Sequence, residues 1–422
     1  MAHRRPPLPD ETTPVQGGRG RIFSSLKHPN YRLLLGGQVT TNVAFWMEQV
    51  TRGWLVYEMT DSPLALGAVQ AARAVPLLVF GLLGGVMADR FDRKRQMVLS
   101  QNANFLLSLI LAVLVHTGHV QVWQVFATAI LAGAVNAFQQ PARQSLIPEL
   151  VGRGELMNAI ALNSGALNTT RTIGPAVAGA LIATVGVAGA YYVQAALFLL
   201  ATVWTIQIRL PEARERERQR YEGSLLQGVG EGLSYVRTNK VVLTLLALAL
   251  VPIVLAQPYS SMIPVFARDV FQVGAVGQGV LLAVPGAGAV LGALLIAGVS
   301  GTKRKTAYLI GGVLVMGVAL VAFAFSPGMA AALAALLLVG GASTSYRAVN
   351  QTLLQTNTED AYRGRVMSIY LLDRGLAPLG SMLVGTLAHF LGARDAVAIM
   401  GVLTAIFAVV VALRMPGLRD MD

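Results

Sequence analysis

Gly84-Gly-Val-Met-Ala-Asp-Arg-Phe-Asp-Arg-Lys-Arg-Gln-Met97 is a short charged break between two long apolar runs, at 64–88 and 97–117. Each run is about 20 residues or more with few charges, enough as a helix to cross a hydrocarbon core of roughly 30 Å. The break is dense in arginine and lysine, as a loop held at a membrane surface is. Moving outward, the same alternation fills the chain. Apolar runs predict helices at 31–57, 64–88, 97–117, 121–142, 157–185 and 188–208. A second set follows at 241–266, 276–299, 306–326, 329–357, 365–391 and 395–414. The predicted fold is an all-α integral membrane protein of twelve transmembrane helices, arranged as two six-helix pseudo-symmetric halves.

Composition agrees. Of 422 residues, 54% are hydrophobic and 13% are charged, where a soluble domain carries about 25% charged residues. The 44 glycines suit helices packed closely in lipid through small side chains. The net charge of +12 can point to nucleic acid, but most of it sits in short breaks between apolar runs. It is therefore topological information, and no nucleic-acid partner is expected. Cysteine is absent, which excludes a disulfide framework, a thiolate metal site and a cysteine nucleophile.

Loop charge orients the chain. The odd-to-even loops hold only Arg268 and Arg394. The even-to-odd loops hold Arg90, Arg93, Lys94 and Arg95, then Arg143 and Arg153, then Lys303, Arg304 and Lys305, then Arg363 and Arg365. The positive-inside rule places those loops and both termini in the cytoplasm, in a multi-pass protein of the cell membrane.

Five stretches divide the chain. Residues 1–24, rich in Pro, Arg, Gly and Thr, read as a disordered cytoplasmic tail rather than a cleaved signal peptide. Residues 25–209 form the first half and 241–415 the second, with a short tail at 416–422. Between the halves, 210–240 opens with alternating Arg and Glu from Pro211 to Tyr221, a solvated linker. Leu225, Leu226, Val229, Leu233 and Val236 then recur at helical spacing, predicting a surface amphipathic helix. An internal repeat supports two halves: Gly174, Gly179 and Gly186 recur 206 residues later as Gly380, Gly385 and Gly392.

The opening stretch also carries a motif. Gly85, Asp89, Arg90, Arg93 and Lys94 stand at the spacing G-x-x-x-D-R-x-x-R-K. Here the chain resembles the major facilitator superfamily, whose signature lies between helices 2 and 3 in this form. The family usually has glycine where this chain has Asp92, which leaves the turn there open. Gly85 permits close helix contact, and Asp89 can accept charge-assisted bonds. Glu149 can pair with Arg93 or Arg95, and Arg363 and Arg365 can meet Asp89 across the halves. The resemblance implies that these residues form a latch holding the outward-facing state.

In the fifth predicted helix, Arg171-Thr-Ile-Gly174-Pro175-Ala-Val-Ala-Gly179 resembles the antiporter motif of the same superfamily and favours efflux over uptake. Physically, Pro175 removes a backbone donor while Gly174 and Gly179 allow close approach. Trp54-Leu-Val-Tyr57, Ser62-Pro63-Leu-Ala-Leu-Gly67 and the run from Gln140 to Asn163 make the chain similar to the enterobactin-exporter-like branch. The resemblance spans about 24 to 414 and is strongest in the first half. It implies secondary active export of a small amphipathic molecule (drug, siderophore or metabolite) by proton antiport with alternating access. Uptake by the same fold, or a non-transporting receptor or scaffold, are the alternatives.

Ionisable residues at membrane depth are costly and default to function. Glu48 and Arg52 are four apart and share one face. Arg73, Arg171, Arg347 and the pair Asp373-Arg374 complete the set. A carboxylate beside arginine can carry a coupled proton or simply satisfy its partner; both readings stand for Glu48–Arg52 and for Asp373–Arg374. Candidate cavity residues are Asn42, Trp46, Gln70, Arg73, Asn136, Gln139, Asn163, Asn168, Gln257, Tyr259, Tyr346, Arg347, Asn350 and Tyr370. Ser300-Gly301-Thr302-Lys303 breaks the phosphate-loop spacing, so an ATP-driven pump is not expected. His116 and His119 alone make no metal site, and no cluster of nucleophile and base appears, so neither an enzyme nor a cofactor is expected. The expected partners are a small-molecule substrate, protons and the lipid bilayer, with the chain a monomer.

Overall fold

The computed structural model describes residues 23–90, 92–151, 155–209, 234–299, 305–370 and 373–414. The tails, most of the linker and Lys303-Arg304 of the predicted loops lie outside them. Every regular element among the described residues is helical, as lipid requires of a chain with no closed barrel.

After a 3-10 turn at Ser24–Lys27, α1 (Pro29–Thr60) starts on a proline at its first position and stops where Asp61 turns left-handed at φ 47°. α2 (Pro63–Arg90) and α3 (Arg93–His116) flank the charged break. Asp92 resolves the turn there. Its backbone is extended (φ −61°, ψ 118°), and its side chain accepts the Arg95 amide at 2.8 Å, so it caps α3 where a glycine would leave that donor to water. α4 (Val122–Leu150) opens on a reciprocal cap between Gln121 and Gln124.

α5 (Leu156–Gln207) is continuous in hydrogen bonding but broken at Gly186, whose φ of 75° and ψ of 177° divide it into arms at 156–185 and 187–207. Gly392, the repeat partner of Gly186, has φ 88°. It separates α12 (Asp373–Leu391) from α13 (Ala393–Arg414).

The second half begins with residues 234–238, helical within the expected amphipathic helix. Tyr235 there stacks on Tyr362 at 4.3 Å. Next comes α6 (Lys240–Leu255), capped by the Asn239 carboxamide. The single helix predicted at 241–266 is interrupted instead: Pro252, Pro258 and Pro264 remove donors. The chain continues as α7 (Tyr259–Val265) and a π turn, Phe266–Val270. α8 (Gly274–Val299), α9 (Lys305–Ala324) and α10 (Met329–Thr356) follow. The helix predicted at 365–391 is preceded by α11 (Asp360–Tyr370), with α12 starting at Asp373.

Eight helices among the described residues are long and apolar enough to cross a membrane. The two arms of α5 count once in that number, and α1 falls out of it because Gln38, Asn42, Glu48, Gln49 and Arg52 dilute its apolar surface. Side chains such as Leu294, Leu295, Phe390 and Leu413 point outward, at 66–77% exposure, as a lipid-facing surface requires. Several buried hydroxyls are satisfied within their own helices, as when Thr51 donates to Met47 O at 2.9 Å and Thr202 to Phe198 O at 3.0 Å.

The helices pack in two sets. α1 lies on α5, α2 on α4 and α3 on α5; in the other set α8 and α9 lie on α10, and α9 on α13. Extensive packing between the sets is confined to α2 against α12 and α5 against α8. Both crossings are glycine on glycine. A Cβ at Gly179 would stand 2.6 Å from Ala275 O and 3.0 Å from Gly279 Cα; one at Gly385 would stand 2.9 Å from Pro63 O and 3.1 Å from Gly67 Cα. Backbones touch there because no side chain intervenes. The two crossings are related by the internal repeat and lie toward the end that carries the α1–α2 turn.

Candidate functional site

The first cluster forms inside the first helix set. Glu48 is buried at 6% exposure, with Arg52 at 4% and Arg73 at 8%. Helical spacing brings Arg52 one turn above Glu48, and its Nε donates to Oε1 at 2.7 Å. Packing of α2 on α4 brings Arg73 to the other oxygen, where Nη1 donates to Oε2. One carboxylate is thus shared by two guanidiniums. Arg52 also donates from Nη1 to Val125 O and, at 3.0 Å, to Thr128 Oγ1, while Arg73 lies 4.6 Å from the Phe45 ring centroid. These contacts satisfy donors that burial would otherwise leave costly. A cavity of about 20 Å³ adjoins the triad, lined among others by Glu48, Arg73, Asn104, Ser108, Asn136 and Tyr191. That is room for about one water.

A second cluster bridges the helix sets at the α1–α2 turn. Arg268 Nη2 pairs with Asp61 Oδ1 at 2.6 Å, and its Nη1 donates to Tyr57 O at 3.3 Å. The Tyr57 hydroxyl donates to Asp269, and the Arg268 guanidinium stands 5.1 Å from the Tyr57 ring. Deeper, Gln278 Nε2 donates to Val50 O at 3.1 Å. Sequence reasoning missed this clamp. Its signal was Arg268 itself, a basic residue on the side otherwise poor in them, next to an acid.

A third feature lies midway along the first arm of α5. Arg171 is exposed, and its guanidinium stands 5.5 Å from the Trp46 ring of α1. Tyr259 and Arg347, from the other helix set, lie within electrostatic range. Three residues on, Gly174 packs on α1, where a Cβ would stand 3.2 Å from Val43 O.

The remaining predicted residues scatter. Asn42 donates to Gln38 O of its own helix at 2.7 Å, and Asn136 to Ala132 O at 2.8 Å. Gln70 donates to Gln49 at 3.0 Å, and Gln257 to Ser343 at 3.0 Å. Gln139, Tyr346 and Asn350 are buried within their own helix sets, Asn350 donating to Leu245 O at 2.9 Å, whereas Asn168 is exposed. Of the proposed latch, Gly85 lies in α2, and the side chains of Asp89, Arg90 and Glu149 lie outside the described residues, as do those of Asp373 and Arg374. Arg93 heads α3. Lys94 Nζ donates to Ile208 O at 2.7 Å, tying α3 to the end of α5. Arg363 Nε donates to Gln355 O at 3.1 Å, and Arg365 lies 5.4 Å from the Tyr362 ring. Pro175 and Gly179 sit at the α5–α8 crossing, a Cβ at Gly279 falling 2.6 Å from Pro175 O.

Known proteins place this architecture. Residues 21–422 match the family described as transmembrane secretion effector. The staphyloferrin A transporter of Staphylococcus aureus is 25% identical over 85% of this chain and 89% of its own length. The multidrug efflux pump Tap of Mycolicibacterium fortuitum is 29% identical over 92% of this chain and 96% of its own. Among solved structures, the nucleoside transporter NupG superposes with a TM-score of 0.72 at 14% identity, over 92% of this chain and 99% of its own, a likeness of fold. With the match running through both helix sets, the chain belongs to the transmembrane secretion effector family of major facilitator transporters.

Proposed function

We propose that this transporter exports a small amphipathic molecule in exchange for protons, by alternating access between two six-helix halves with both termini in the cytoplasm. The observation that carries the reading is Glu48, a buried carboxylate shared by two arginines beside a water-sized cavity. Protonating Glu48 would remove the charge that Arg52 and Arg73 share and turn one of its two acceptor oxygens into a hydroxyl donor facing a guanidinium. Proton binding must therefore be accompanied by movement of one of them, and Arg73 is the lever that links α1 to α2, which also packs on the second half. That is how a proton can be made to alter the contact between halves. The crossings and the clamp at the α1–α2 end fit a state closed outside and open to the cytoplasm. In the opposite state, Asp89, Arg90, Arg93 and Lys94 would latch the cytoplasmic end onto Arg363 and Arg365, with Glu149 beside them. Efflux is favoured over uptake by the efflux function of Tap.

Everted vesicles with an acidified interior test this. Addition of an exported compound discharges the pH gradient; a macrolide and staphyloferrin A lead the panel because relatives carry those names. The paired change Glu48→Gln with Arg73→Gln keeps the net charge of the cluster while removing its only acid. It should abolish proton movement yet retain substrate counterflow. Proton movement at the wild-type rate in that variant, or counterflow without any proton movement in the wild type, would overturn the reading.

A further inference from the structure

We propose that Arg171 is an anion-binding residue, and that the transported molecule carries a carboxylate or comparable anionic group seated on it between the two helix sets. This rests on the transport reading and adds the class of cargo.

The argument begins with charge. Away from helix ends, the apolar runs hold five arginines (Arg52, Arg73, Arg171, Arg347 and Arg374) against two acids (Glu48 and Asp373). Glu48 is committed to Arg52 and Arg73. Arg171 has neither a hydrogen bond nor an ion pair among the described residues; its guanidinium lies over the face of Trp46. A guanidinium at membrane depth without an acid is costly unless water or a ligand meets it.

Arg171 is the sixteenth of thirty residues in the arm 156–185, about 22 Å along it, so it lies midway along a membrane-spanning helix. Its direction is set too. Trp46 of α1 stands 5.5 Å from the Arg171 guanidinium, while Tyr259 and Arg347 of the second helix set lie within electrostatic range of it. Its neighbour Thr172 meets Gly286 of α8. The guanidinium therefore points at the seam between the sets, where substrates of this fold class are expected. Arg347 adds positive potential, Tyr259 a hydroxyl and Trp46 a flat apolar wall. An anion with an apolar body fits: the fork takes the charge and the indole takes the body.

The test uses a matched pair of probes, dansyl-leucine and its uncharged methyl ester, which share one apolar body. Binding is read by energy transfer from tryptophan to dansyl, with the full chain in nanodiscs of neutral phosphatidylcholine. The wild type should prefer the acid at least tenfold. Arg171→Gln should reduce that preference to near unity while still binding the ester, which shows that the variant is folded; Arg171→Lys should keep most of it. Equal binding of acid and ester by the wild type, or an undiminished preference in Arg171→Gln, would overturn the proposal. A second arm adds phosphatidylglycerol. If it displaces dansyl-leucine through Arg171, the anion is a lipid headgroup and the cargo assignment is overturned. Counterflow in proteoliposomes is scored separately: its failure with acid preference intact counts against transport and not against the anion site.

Discussion

Gly179→Ala offers a direct test of the crossing between α5 and α8. The added Cβ would stand 2.6 Å from Ala275 O and 3.0 Å from Gly279 Cα, where ordinary contact begins at 3.4 Å. The helices must therefore separate by up to about 0.8 Å, and both obstacles are backbone, which cannot rotate away. Overpacking of this kind costs about 1–3 kcal/mol, and in the proposed alternating-access cycle, where the crossing is released as the halves part at that end, the cost falls on one state. That range corresponds to roughly a 5- to 150-fold shift toward the state open at the α1–α2 end. The chain contains no cysteine, so a single Gln278→Cys reports on the seam without background. Gln278 is fully buried in the closed arrangement. Its labelling rate with a membrane-impermeant maleimide from the α1–α2 side should rise at least fivefold in Gly179→Ala. Gly165→Ala, where a Cβ meets nothing within 4 Å, should leave the rate unchanged, and His119→Cys on an exposed turn reports general accessibility. A rate at 278 that stays at the parent value in a folded Gly179→Ala protein would refute the reasoning.

Other expectations follow from the same geometry. Glu48→Gln alone leaves two buried guanidiniums on one amide and should cost about 3–5 kcal/mol, seen as a lower thermal midpoint in detergent; adding Arg73→Gln should recover part of it. Gly186→Ala forces a side chain onto a residue at φ 75° and should cost about 1–3 kcal/mol, with Gly392→Ala behaving alike in thermal unfolding. Arg268→Ala opens the exposed clamp and should raise labelling at Gln278→Cys by only a few-fold, because a pair of this exposure is worth about 1 kcal/mol or less; a larger effect would mean that the Tyr57–Asp269 bond fails with it.

Much of the fold is legible in one dimension because lipid imposes its demand locally: a span must be apolar and helical over its own length, whatever it packs against. The pair Glu48–Arg52 was legible for the same reason, being one helical turn apart. Arg73 joining that pair was not, since it depends on how α2 packs on α4 beside α1, and nothing in residues 63–90 encodes the partner. Tyr57 and Asp269 stand 212 residues apart, and only folding relates them. The glycine repeat was visible, yet its meaning was not. Gly179 and Gly385 match each other in sequence, but each touches a different glycine, Gly279 and Gly67, on a helix of the other set. The helix break between 255 and 259 escaped the sequence reading because the whole run stays hydrophobic enough for one span, Lys240–Val270, despite Gln257, Ser260 and Ser261.

The glycine crossing of α2 and α12 has a mechanical consequence. Gly67 lies four residues from the start of α2 and 23 from its end, about 6 Å and about 35 Å of helix. Pivoting α2 by about 10° at that point moves the near end by about 1 Å and the far end by about 6 Å. The crossing thus gears the molecule: a shift of about 1 Å at the near end becomes about six times larger at the far end of α2.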